Sequence, residues 1–245
     1  MDPTDVIFRH LDQWRHLPAY ALERRADVFF SVYLKGFIET AMGIELEDEI
    51  LPELPLKHGV VPSKRDSAQS VKVDFALFPK NRDRVLFVEL KTDAGSRRSE
   101  QDEYLLAAQR LGFRAIVEGI RSIVIKSKAY QKYFHLASAL ERLGFLRIPL
   151  HTKDFLYPKP RQGLTRCLEA IEVAPHNPSI QVIYLQPEAK EPNCLGFEQF
   201  AKYVGQFPDP FSQRFAERLL AWTAVAGAEH PALVRGRSGS GSPRH

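Results

Sequence analysis

Apolar and polar positions alternate most strictly between residues 71 and 91. Val71, Val73, Phe75 and Leu77 fall on one side of an extended chain, and Lys72, Asp74, Ala76 and Phe78 on the other. Leu86, Val88 and Leu90 alternate in the same way with Val85, Phe87, Glu89 and Lys91. A period of two is the mark of a half-buried strand. Two strands are therefore predicted, at 71–78 and 85–91, joined by the turn-rich PKNRDR. Upstream, residues 18–42 follow a helical period, opened by Pro18 and closed by Gly43. The stretch holding Pro52, Pro55 and Pro62 leaves room for one short strand. Downstream, Ser99 caps a helix that ends at Gly112. Residues 121–126 read as a buried strand, 130–143 as an amphipathic helix closed by Gly144, and 180–185 as a further strand. Both of these helices end in Arg-Leu-Gly-Phe, from Arg110 and from Arg142, a match too short for a repeat. Past Pro187 the chain reads as helical, and Asp209 with Pro210 supplies the start of a last helix reaching about Ala226.

This order predicts an α/β fold, a mixed central sheet flanked by helices. The expected organisation is one domain over 1–186, a helical C-terminal extension over 187–234, and a disordered, Gly/Ser-rich and basic tail over 235–245.

Composition narrows the class of protein. With 245 residues, 44% of them hydrophobic, the chain can bury one sizeable core. Cys167 and Cys194 form neither a tight pair nor a metal-ligand pattern, which points to a reducing cytosol. Asp2, Asp5 and Asp12 interrupt any signal sequence, and no apolar run approaches a membrane span, so the expected location is cytoplasmic with no membrane partner. A net charge of +4 agrees with a polyanionic partner. Basic groups gather at Lys57, Lys64 and Arg65, at Arg97 and Arg98, and at Lys126, Lys128 and Lys132, where the plainer reading is solvated surface. The eight histidines show no ligand pair; His135 is expected on a helix surface and His151 in a loop. Neither a Gly-rich phosphate loop nor a G-x-S-x-G motif occurs, which disfavours nucleotide and serine hydrolases.

The hairpin holds the candidate chemistry. A loop at 79–84 pairs Phe78 with Val85, which sets Asp74 opposite Glu89 and Lys72 opposite Lys91, all four charges on one face. Opposed carboxylates about 5 Å apart repel by about 3 kcal/mol at an effective dielectric near 20. A divalent cation between them removes that penalty, and magnesium suits a site of one or two carboxylates. The alternative is a charge lattice on an exposed sheet, in which diagonal pairs Asp74–Lys91 and Glu89–Lys72 compensate each other. Ala76, Phe78, Val85 and Phe87 continue the face, so its other end is apolar and covered.

VDFALF, the turn and FVELKTD together resemble the D…ExK signature of the PD-(D/E)XK nuclease superfamily, here Asp74 with Glu89-Leu90-Lys91. Val73 stands where the signature often has proline, and the resemblance spans about residues 19–127. It implies a restriction-endonuclease-like fold and metal-dependent hydrolysis of phosphodiesters, in DNA rather than RNA. Asp74, Glu89 and the main-chain carbonyl of Leu90 would hold magnesium or manganese. Lys91 would stabilise the developing phosphorane charge, a role that suits a lysine kept charged by two carboxylates better than that of general base. Many members also have a glutamate on the first helix. Glu23 falls on the face of Ala26, Phe30, Tyr33, Leu34, Phe37 and Ala41, and Glu39 nearly opposite, so Glu23 is the expected metal ligand. RecB-like nucleases add a glutamine and a tyrosine on the next helix. Gln101 and Tyr104 share a stripe with Leu105, Ala108 and Leu111, in Q-x-x-Y spacing rather than that subgroup's Q-x-x-x-Y. Gln101 is assigned to the site and Tyr104 to the core. Cutting a duplex would favour a homodimer. The alternative from another class is the same fold kept as an inactive module that binds nucleic acid or a protein.

Overall fold

The computed structural model describes residues 2–14, 22–56, 71–92, 99–126, 130–149 and 168–228. The elements run α1 (Pro3–Trp14), α2 (Leu22–Met42), β1 (Leu51–Leu56), β2 (Val71–Leu77), β3 (Arg84–Leu90), α3 (Ser99–Leu111), α4 (Phe113–Lys126), α5 (Tyr130–Arg142), β4 (Leu146–Arg147), β5 (Glu172–Val173), β6 (Ser179–Gln186), β7 (Cys194–Gly196), α6 (Phe197–Val204) and α7 (Pro210–Ala228). Five strands form one mixed sheet in the order β1-β2-β3-β6-β7, and β4 pairs with β5 in a separate ribbon. β1 and β3 each pair antiparallel with β2, whereas β6 runs parallel to β3 and β7 parallel to β6. The α/β architecture with helices on both faces is as the sequence predicts.

Each face has its own core. Ala76, Phe78, Val85 and Phe87 meet α3, α4 and α5 through Leu105, Phe113, Ile116, Val117, Phe134 and Leu140. Phe75, Leu77, Leu86, Val88 and Leu90 meet α1, α2, α6 and α7 through Phe8, Phe30, Leu34, Phe200, Phe215 and Trp222. The C-terminal helices therefore supply a large part of the second core; Phe30 stacks on Phe200 at 5.3 Å and meets Phe215 edge-on at 5.3 Å. Gly36 of α2 lets the Tyr203 hydroxyl of α6 approach where a Cβ would stand. α1, which the alternation did not flag, is tied to α7 by Asp12, which accepts from Arg218 and from the Trp222 indole, each at 2.9 Å.

Several expectations hold at the level of single residues. Gly43, Gly112 and Gly144 all adopt positive φ at helix ends, at 64°, 80° and 80°, as a C-terminal cap requires. The two Arg-Leu-Gly-Phe ends bring Phe113 and Phe145 edge to face, 4.8 Å apart. Asp209 caps α7 by accepting from the Ser212 N–H at 2.9 Å. His135 is exposed on α5.

One prediction fails outright. Residues 121–126 are the end of a helix, not a strand: Phe113, Ile116, Val117, Ile120 and Val124 are buried along one helical stripe. The β-branched run near its end looks strand-like only when read without the turns before it. Strand β7 was also missed, three residues being too few to show a period. Pro62, Cys167, His151, the tail from residue 229, and the basic residues Lys57, Lys64, Arg65, Arg97, Arg98 and Lys128 lie outside the described residues, as does the side chain of Lys132.

Candidate active site

The hairpin keeps its predicted register, with Phe75 opposite Val88, Ala76 opposite Phe87 and Leu77 opposite Leu86. The strict alternation does not survive along the whole of β2. Val73 packs in the same core as Ala76, with Val71 against it, while Phe75 and Leu77 belong to the other. The phase breaks at Asp74, so Lys72 and Asp74 turn toward α2 and the four charges do not share one face.

The neighbouring strand is irregular at the same point. β1 pairs with β2 at Pro52–Phe75 and at Leu54–Val73, but Glu53, which faces Asp74 in that register, drops out of the ladder. Its φ is 53°, a left-handed conformation that costs a residue other than glycine about 1–3 kcal/mol. Such strain concentrates at functional sites. The Glu53 carboxylate is ion-paired with Lys72.

Asp74 thereby reaches the gap between β2 and β3. Its Oδ2 accepts the Leu90 N–H at 2.8 Å. A cavity of about 20 Å³ opens beside it, lined by Arg24, Asp27, Glu53, Asp74 and Leu90. That volume suits a single water or a small ion.

Glu89 lies on the α3 side, fully buried at 0% exposure. Oε2 is bonded by Gln101 Nε2 from α3 and is 3.3 Å from Lys91 Nζ. Among the described residues Oε1 is buried with no hydrogen-bond partner. Burial first, and then the Asp74 charge, push the Glu89 carboxyl up to about 8, while Lys91 and the Asp74 N–H pull it the other way. Burial and then the Glu89 charge raise the Tyr104 phenol, whose hydroxyl meets Gln101. Glu89 is therefore a carboxylate whose ionised form lacks sufficient positive charge, and its free oxygen is where a cation would supply it.

Lys91 and Gln101 meet the Glu89 carboxylate, and Asp74 bonds the Leu90 N–H and adds its charge to Glu89, but Asp74 and Glu89 do not share one face of the sheet as the sequence predicts. Tyr104 joins them more closely than a core assignment implies. Glu23 stands in the first turn of α2, with its side chain outside the described residues. Glu39 does not approach the site: its Oε1 accepts the Leu46 N–H at 2.9 Å at the far end of α2. Asp27 was overlooked. It follows Glu23 by one helical turn, and that spacing was the available signal. Among the described residues no three His, Cys, Asp or Glu side chains form a metal cluster. A pair of carboxylates with a main-chain carbonyl is nonetheless a sufficient protein share for magnesium, which keeps several waters. Among the described residues no helix is long and apolar enough to cross a membrane. Comparison with protein-family models, with curated proteins and with solved structures returns no match.

Proposed function

We propose that this chain is a metal-dependent nuclease of the PD-(D/E)XK kind, hydrolysing phosphodiester bonds, in DNA rather than RNA. The observation that supports it most is the unpartnered Oε1 of buried Glu89, held next to Asp74 and Lys91. An isolated carboxylate oxygen costs several kcal/mol to bury, ~1–3 or more; a bound cation turns that cost into affinity. The element order α2-β1-β2-β3-α3, with a later strand parallel to β3, supports a restriction-endonuclease-like reading of the fold.

Asp74, Glu89 and the Leu90 carbonyl would hold magnesium or manganese. When bound, the ion supplies Lewis-acid polarisation of the phosphodiester and a lowered water pKa. Lys91 donates to the negative charge that grows on the phosphoryl oxygens. Gln101 fixes the Glu89 carboxylate, so that its other oxygen is the one presented. Asp27, which lines the cavity with Asp74, would serve as the carboxylate that the resemblance puts on the helix before the hairpin. A homodimer would place two such centres on a duplex, and a reducing cytosol would keep the buried Cys194 thiol free.

Labelled linear, single-stranded, branched and circular DNA, and RNA, should be incubated with magnesium or manganese. Cleavage that EDTA stops and Glu89→Ala abolishes is expected. Equal cutting by Glu89→Ala, or none by the purified wild type, overturns the reading. The complete burial of Glu89 favours one rival, an inactive module of the same fold. That rival predicts binding of nucleic acid or protein without turnover in the same assay.

A further inference from the structure

The cavity beside Asp74 has a charged rim that the proposed chemistry does not use. Arg24 lines it from α2 and is exposed; among the described residues it has no ion-pair partner. Lys72 precedes Asp74 by two residues on the same side of β2, and its side chain is 51% exposed. Its partner is Glu53, the residue whose φ of 53° takes it out of the β1–β2 ladder. The left-handed turn at Glu53 sends its carboxylate to Lys72 and the cavity wall at once. Such a backbone is maintained against its intrinsic preference only where the surroundings hold it.

We propose that Lys72 and Arg24 form a phosphate-binding rim along which a nucleic-acid backbone enters the Asp74–Glu89 centre, with Glu53 occupying Lys72 until a phosphate displaces it. The inference rests on the nuclease reading for its ligand. An exposed lysine-carboxylate pair is worth little in water, so exchanging the carboxylate for a phosphate oxygen is a small step. Arg24 of α2 lines the cavity, and Lys72 of β2 stands next to it through its ion pair with Glu53, another lining residue. Guanidinium and ammonium groups are the usual donors to backbone phosphates and set register rather than sequence.

The test is fluorescence anisotropy with 5′-labelled 30-nucleotide DNA, single-stranded and duplex, using the full chain in calcium. Salt is varied, and cleavage in magnesium is followed in parallel. Lys72→Ala and Arg24→Ala should each weaken binding several-fold and reduce the slope of log affinity against log salt by about one. Lys72→Arg should keep both, and Glu53→Gln should tighten binding and steepen the slope. Thermal melts establish that each variant is folded. Wild-type affinity and slope in folded Lys72→Ala and Arg24→Ala would overturn the rim while cleavage by wild type leaves the nuclease reading standing. A wild type that neither binds nor cuts removes both. Weakening by Lys72→Arg equal to that by Lys72→Ala would show that the contact is not one of charge, and would also overturn the proposal.

Discussion

Glu89 and Tyr184 stand side by side on the parallel strands β3 and β6, and each bonds one of two consecutive residues of α3: Gln101 donates to Glu89, and the Tyr184 hydroxyl donates to Asp102. The start of α3 is thus pinned over the site at two adjacent points, one on a proposed metal ligand and the other on its structural neighbour. Tyr184 is 2% exposed and touches no reacting group, so it is a positioning residue.

Tyr184→Phe tests this arrangement. The ring still fills its space, and the loss of one buried hydrogen bond should lower stability by only ~1 kcal/mol. If α3 holds Gln101 on Glu89, the magnesium concentration for half-maximal cleavage should rise several-fold, with little change in KM for DNA. A stability loss with unchanged metal dependence would make the Tyr184–Asp102 bond merely structural.

The raised value of Glu89 sets a pH dependence with a defined sign. Its carboxyl moves from 4.5 up to about 8 in the folded, metal-free protein, so between those values the folded chain binds more protons than the unfolded one. Stability must then fall as pH rises from about 4.5 through 8, by at most about 5 kcal/mol, and level off above. Glu89→Gln cannot ionise and should lose this slope, so in EDTA it should melt above wild type at pH 9 and near it at pH 5. Binding of magnesium must expel the Glu89 proton, so at limiting magnesium cleavage should rise with pH up to about 8. Parallel melting curves for the two proteins across pH 5–9 would contradict the assignment.

Carboxylates on α2 make a third test. Asp27 lines the cavity with Asp74, so Asp27→Asn should slow cleavage at least about tenfold, or ~1.4 kcal/mol of barrier. Glu23→Gln should slow it as well if that side chain faces the same way. Glu39→Gln should leave the rate unchanged while weakening the bond to the Leu46 N–H, a stability loss of ~1 kcal/mol. A Glu39→Gln that cuts slowly beside a fast Asp27→Asn would place the site at the other end of α2.

Much of the site was legible because its residues obeyed a local period. Alternation set the β2–β3 register to the residue, and helical spacing put Gln101 and Tyr104 inward. The break at Asp74 was not legible, because it faces Glu53, a residue of β1 whose left-handed backbone no period announces. Asp27 was hidden for another reason: it stands one helical turn after Glu23, and spacing alone does not say which of two carboxylates on one face lines a cavity. The strand expected at 121–126 fell to window placement, since the stripe begins at Phe113. α1 was missed because only Phe8 and Leu11 of it are buried, and its attachment to α7 depends on charges some 200 residues away in sequence.

The final prediction sets the metal centre against a self-compensating charge lattice, and the structure sharpens it. Asp74 accepts the Leu90 N–H through Oδ2, and the carbonyl oxygen of an asparagine can accept the same bond. Asp74→Asn therefore removes the charge without removing the hydrogen bond. In the metal-free protein that charge is one cause of the raised Glu89 carboxyl, so the repulsion is expressed only where Glu89 is ionised. Below about pH 7 Glu89 is largely protonated and the variant should melt close to wild type. At pH 9 it should melt above wild type in EDTA. Added magnesium should stabilise wild type by preferential binding to the folded state, and the variant much less. In a set of charges that compensate each other without a cation, the substitution would cost Lys91, 7% exposed, a favourable neighbour. Stability would then fall at either pH, with no response to magnesium. Melting curves for both proteins at pH 6.5 and 9, each with EDTA and with magnesium, separate the two. A destabilised Asp74→Asn at pH 9 beside a wild type indifferent to magnesium would leave the pair of carboxylates without a cation to hold.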